Sequence, residues 1–140
     1  MSYLLDTNAV SEWVKSRSNT GLMEWLAQTD EDELFLSVIT LAELRDGTER
    51  MSAGARRTRL EAWLDDALPA RFGDRVLGID IGVASDWGRI VALRRKAGRP
   101  IAAMDALIAA TATRHGLSLV TRDVADFDGL DVPIICPWSG

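Results

Sequence analysis

The sequence predicts an α/β domain with a mostly parallel central sheet. Three observations carry this expectation. Five short apolar runs are spread along 140 residues, segments of helical period separate them, and the composition pulls toward no other class. A hydrophobic content of 47% with mixed charges excludes a disordered chain. The length suits a single domain over 1–140, large enough to bury a core without a disulfide or metal staple. One Cys and one His exclude an internal disulfide and a protein zinc site.

Taken in order, the strand candidates are Tyr3–Leu5, Leu34–Ile39, Arg75–Ile79, Leu117–Thr121 and Val132–Ile135, with Pro133 marking a strand start or a sheet edge. Between them, Leu60, Trp63, Leu64, Ala67 and Leu68 follow the i, i+3, i+4, i+7, i+8 spacing of a helix face. Val83, Trp87, Ile90, Val91 and Arg94 nearly repeat it, and that helix should stop near Gly98 and Pro100. A further helix spans about Ile101 to His115, with Gly116 placed to end it. Strands alternating with helices imply βαβ units. The Trp residues fall mostly at helical apolar positions, where core packing is the default, especially for Trp63 and Trp87. Trp13 and Trp25 stay open between the core and a groove for a partner segment.

The formal net charge is −5, which argues against a protein that grips nucleic acid by bulk positive charge. Arg56-Arg57 with Arg59, and Arg94-Arg95-Lys96 with Arg99, are the basic clusters, and each reads first as a solvated helix face. The first residues lack the pattern of a secretion signal and no apolar stretch is long enough for a membrane span. With its free Cys136, the chain is expected in the cytoplasm.

Four carboxylates stand where ligands gather in an α/β sheet, at the carboxyl ends of strands. Asp6 follows the first strand, where an acid near a helix N-terminus is also ordinary. Glu43 lies just past the second strand, and Thr40-Leu41-Ala42-Glu43 equally fits a capping box. Asp105 is flanked on its helix by Ile101, Ala102, Ile108 and Ala109, with no basic residue one turn away, so its burial would be costly without a cation. Asp123 follows the fourth strand, with Arg122 beside it and Asp126 or Asp128 as possible substitutes. Converging carboxylates repel, and a hard divalent cation relieves that cost. Mg²⁺ takes oxygen ligands and keeps waters, which suits carboxylates plus a substrate phosphate. Phosphodiester hydrolysis is the matching chemistry: one ion activates water, and a second, ~4 Å away, stabilises the leaving oxygen. No nucleophile elbow, phosphate-cradling glycine loop or metal-ligating His pair competes.

The segments LLDTNAVSEWV, LSVITLAELRDG and GRPIAAMDALIAATATRHGLSLVTRDVADFDGL, with a closing Pro137-Trp138, resemble the PIN-domain ribonucleases over nearly the whole chain. Within these the sequence is similar to the VapC-type toxins of type II toxin–antitoxin systems, near the FitB-like branch. The resemblance implies a three-layer α/β/α PIN fold and an endoribonuclease dependent on Mg²⁺, with Mn²⁺ able to substitute. It also implies a homodimer, an RNA substrate, and inhibition by a small DNA-binding antitoxin whose C-terminal segment blocks the site. Its four acids map onto Asp6, Glu43, Asp105 and Asp123 as catalytic and metal-binding residues, and Asn8 and Thr121 onto supporting positions. Trp13 and Cys136 depart from the usual pattern. Two rivals remain at this point: a non-catalytic PIN-like binding module, and a receiver-type phosphotransfer domain. The second lacks a lysine after a late strand, since Lys15 and Lys96 are the chain's only lysines.

Overall fold

In the computed structural model, which describes residues 1–139, five strands form one sheet. They are β1 (Tyr3–Leu5), β2 (Leu34–Ser37), β3 (Val76–Leu77), β4 (Ser118–Val120) and β5 (Ile134–Ile135), ordered β3-β2-β1-β4-β5 with every pair parallel. Parallel neighbours require crossover connections, and helices supply them. These are α1 (Thr7–Ser11), α2 (Thr20–Gln28), α3 (Val38–Glu49), α4 (Ala55–Ala62), α5 (Leu68–Phe72), α6 (Ile81–Lys96) and α7 (Ala103–His115).

Successive strand residues face opposite sides of the sheet, and both sides here are covered. Leu5, Leu36 and Val120 join Val10, Leu22, Leu64, Leu68 and Phe72 in one buried cluster. Leu4 and Leu119 join Ile108, Ala109, Ala112 and Phe127 in the other. Two cores on one sheet make the expected α/β/α sandwich. No helix among the described residues is long and apolar enough to cross a membrane.

The element boundaries differ from the sequence reading where capping intervenes. Val38 and Ile39 leave β2 and begin α3, because the Ser37 hydroxyl accepts a hydrogen bond from the Ile39 amide at 3.0 Å and caps the helix. α4 runs into α5 through a turn of π-helix at Trp63–Ala67, where the Leu68 amide bonds back to the Trp63 carbonyl. The inserted residue keeps Leu64, Leu68 and Phe72 inward and leaves Ala67 exposed. α7 starts two residues later than predicted and ends as predicted, at Gly116 with φ 65°.

Trp63 borders the first core, whereas Trp87 does not enter a core. It lies half-buried across α6 and α7 and donates its Nε1 proton to the Ala103 carbonyl at 3.2 Å. Trp25 meets Tyr3 edge-to-face at 4.8 Å, and Trp13 lies under the Arg71 guanidinium at 4.1 Å. Cys136 is exposed and unpaired.

The segment after β5 is strapped to the start of α2. Asn19 accepts from the Ser139 amide at 3.0 Å, and a Cβ on Gly21 would lie 2.5 Å from the Pro137 carbonyl oxygen. Helix propensity alone would make Gly21→Ala stabilising by up to ~1 kcal/mol. The clash is with backbone that cannot rotate away, so the substitution is expected to cost ~1–3 kcal/mol instead. Gly47→Ala, in α3 with nothing within 4 Å, should gain what propensity promises. Urea unfolding of the two variants measures the difference, and a stabilised Gly21→Ala would contradict it.

Candidate active site

β1 sits at the centre of the sheet, and the chain fills one side (β2, β3) before crossing to the other (β4, β5). That reversal between β1 and β4 is the topological switch point, where the loops diverge and open a crevice at the carboxyl ends. The register pairs Leu5 with Val120, so Asp6 and Thr121, the next residue of each strand, emerge side by side. The Asp6 amide continues the ladder to the Val120 carbonyl at 2.9 Å.

Asp6 is 5% exposed and caps α1. One carboxylate oxygen accepts from the Thr7 amide at 2.8 Å, and the other from the Thr121 hydroxyl at 2.8 Å. Thr121 in turn accepts from the Asp123 amide at 3.0 Å. Asn8 ties the same group together: its amide nitrogen reaches Asp123 at 3.1 Å, Thr121 at 3.3 Å and Asp6 at 3.4 Å. Its carbonyl oxygen accepts from the Arg122 amide at 3.3 Å. Asn8 and Thr121 thus both hydrogen-bond to Asp6, and Asn8 to Asp123 as well.

Glu43 joins from α3. The Thr7 hydroxyl donates to its Oε1 at 2.6 Å, and the Thr40 hydroxyl lies 3.2 Å from that of Thr7. The capping-box alternative fails, because Ser37 is the cap and Thr40 is already inside the helix. Asp105 stands half-buried in the first turn of α7 and forms no ion pair among the described residues.

These acids lie within electrostatic reach of one another. Burial first, and then repulsion from Asp6, Asp126, Glu43 and Asp123, together push the Asp105 carboxyl up to about 6. Asp6 is also raised, chiefly by burial. The Thr121 and Thr7 hydrogen bonds oppose that shift, and Glu43 and Asp123 reinforce it. All four predicted acids thus reach one sheet edge. Asp126 belongs with them, whereas the Asp128 carboxylate faces Arg99 at 3.6 Å.

Among the described residues, no three His, Cys, Asp or Glu side chains close to the spacing of a shared ion. The donor set consists of oxygens alone, and the only arginine pairing is Arg122 with Asp123 at 3.9 Å. A hard, oxygen-preferring cation fits this chemistry. Neither lysine serves the cluster: Lys15 pairs with Glu12, and Lys96 is exposed at the end of α6.

Residues 3–132 match the family profile of the PIN domain. The chain belongs to the PIN-domain family. That membership sets the receiver-type alternative aside. This PIN domain is 38% identical to the VapC ribonuclease Y4jK of Sinorhizobium fredii, with 97% of each chain covered. It is 36% identical to Toxin FitB of Neisseria gonorrhoeae, covering 96% of this chain and 97% of that one. Its fold superposes with a TM-score of 0.91 on a chain of FitAB bound to an IR36 DNA fragment, at 34% identity and 98% and 96% coverage.

Sequence reasoning missed Thr7, which links Asp6's helix to Glu43, and it left Asp126 open. Thr7 carries no local signal, since a threonine after a capping Asp is common. It also misread Arg94, which is 7% exposed rather than part of a solvated face, although its place in the α6 apolar stripe was the clue.

Proposed function

We propose that this PIN domain is an endoribonuclease acting as the toxin of a toxin–antitoxin pair, dependent on Mg²⁺ or Mn²⁺ and inhibited by a small DNA-binding antitoxin. The observation that carries the reading is the convergence of Asp6, Glu43, Asp105 and Asp123 at the switch point, with burial and mutual repulsion raising two of them. The ribonuclease and toxin names of relatives matched over nearly their full length support it. So does the FitAB assembly on DNA, a precedent for a partner that carries the chain to DNA.

Asp6, Glu43, Asp105 and Asp123 would hold the cation, with Asp126 close to Asp105. When bound, the ion supplies Lewis acidity toward a phosphate oxygen and an activated water. The chain's own contribution is orientation. Thr7 and Thr121 fix both oxygens of Asp6, so that group does not reorganise as charge develops. Asn8 holds Asp123 against the Thr121 hydroxyl, and Thr7 holds Glu43 toward β1.

The test is cleavage of total RNA by the purified chain. Discrete fragments are expected with Mg²⁺ or Mn²⁺, none with EDTA, and none when the product of an adjacent small reading frame is added. Cleavage that persists in EDTA would remove the metal dependence. An inert chain whose expression leaves growth unaffected would favour a non-catalytic PIN module.

A further inference from the structure

A second cleft, of about 450 Å³, opens beside Asp105 between the end of α6, the start of α7 and the loop after β4. It lies in the size range of small-ligand sites. Asp105, Asp126, Arg94 and Arg99 all line it. We propose that Arg94 and Arg99 bind the RNA phosphate that flanks the scissile one on the Asp105 side. This inference rests on the ribonuclease reading above.

Arg94 is the central observation. It occupies the last inward position of α6 and is 7% exposed. Its Nε donates to the Arg99 carbonyl at 2.8 Å, and its Nη1 to the carbonyls of Asp126 at 3.0 Å and Asp128 at 3.4 Å. Among the described residues it has no carboxylate partner, and its Nη2 makes no hydrogen bond. Carbonyl dipoles satisfy the geometry of a buried guanidinium without neutralising its charge. A buried arginine usually has an anionic partner, and here the protein provides none.

Two further features point the same way. Arg99 stands half-exposed at the rim, with only a 3.6 Å contact to Asp128. The cap position of α7 is Ala102, which has no side chain able to cap it, so the amides of Ala103, Met104 and Asp105 lack partners among the described residues. Unpartnered amides at the positive end of a 13-residue helix favour a phosphate oxygen.

The acids that share this cleft decide what kind of anion fits. Asp105 and Asp126 would repel a small free anion. A strand whose scissile phosphate is held over the acids, where the proposed cation would offset their charge, brings its next phosphate to the arginines. The site therefore selects a polynucleotide over a mononucleotide. It also accounts for RNA capture by a chain with a net charge of −5.

The test uses a short RNA that the wild type cleaves, with each phosphate near the cleavage point replaced singly by a neutral methylphosphonate. At one flanking position the wild type should lose roughly tenfold or more in kcat/KM, the usual effect of a lost charge-assisted contact. Arg99→Ala should lose a similar factor on unmodified RNA and nothing further on that methylphosphonate. Its binding should also depend less on salt, by about 0.7 in the slope of log K against log salt. Arg94→Lys, which keeps the charge but not the fork, should repeat the pattern, with circular dichroism confirming its fold. If it fails to fold, Arg99→Ala decides alone. Independent, multiplicative losses, or an Arg99→Ala indistinguishable from wild type, would overturn the subsite while leaving the ribonuclease intact. A wild type that cleaves no RNA removes both.

Discussion

Asp6→Asn is expected to lower kcat/KM for RNA cleavage by about 10³-fold or more and leave the fold in place. The substitution is nearly isosteric. The Asn carbonyl oxygen can still accept from the Thr7 amide, and the Thr121 hydroxyl can rotate to accept from the new NH₂ group. What disappears is a carboxylate at the switch point, with its affinity for a cation and its fixed charge. Losing one preorganised electrostatic group of this kind costs roughly 10²–10³ in rate, and losing a metal ligand in addition should cost more. Asp105→Asn should behave in the same way. Asp66→Asn, an exposed acid away from the site, should cleave at the wild-type rate. Full activity in both Asp6→Asn and Asp105→Asn would refute the site assignment, whatever the family.

The second large effect is on stability, and its sign is opposite to that of most substitutions at buried positions. Asp105 has an ordinary carboxyl value of 3.8, raised to about 6 in the folded chain. The folded state therefore holds its proton more tightly than the unfolded state. The Asp105 contribution to stability is most favourable below about pH 4, falls as pH rises toward and through 6, and carries the full penalty at pH 7. Asp105→Asn removes that penalty. Because the group is only half-buried, solvent screening reduces the effect to about 1 kcal/mol, or roughly 3–4 °C in Tm. Thermal unfolding of the metal-free chain at pH 7.5 and pH 4 should show a stabilised variant at the first and no difference at the second. Mg²⁺ should raise the wild-type Tm more than that of Asp105→Asn. Identical responses to Mg²⁺ would mean that Asp105 takes no part in binding the ion.

Much of the site could be read from residues alone, because each acid sits at a position with a local signature. Asp6 and Asp123 follow apolar runs, and Asp105 interrupts an apolar helix face. Glu43 was ambiguous, since Thr40-x-x-Glu43 matches a cap as well as a ligand. Only the Ser37 hydroxyl on the Ile39 amide removed the ambiguity. Arg94 shows the reverse error. A run of three basic residues reads as a solvated face, yet the helix turns the first of them inward onto two loops. The π-turn at Trp63–Ala67 was invisible because one inserted residue leaves the i, i+4 pattern of Leu60, Leu64 and Leu68 unchanged.

By itself, then, the sequence determined the class of the fold and the five strands, and it marked four acids as candidates, since these follow from periodicity and from charge at strand ends and in apolar surroundings. Only the tertiary structure decided which strands are neighbours. That choice puts Thr121 on Asp6, Thr7 on Glu43, and Asn8 between Asp6 and Asp123. The physical reason is range. Hydrophobic period is written within a turn or two of chain, whereas the β1–β4 register joins residues 115 positions apart and is set by how both sheet faces are buried at once.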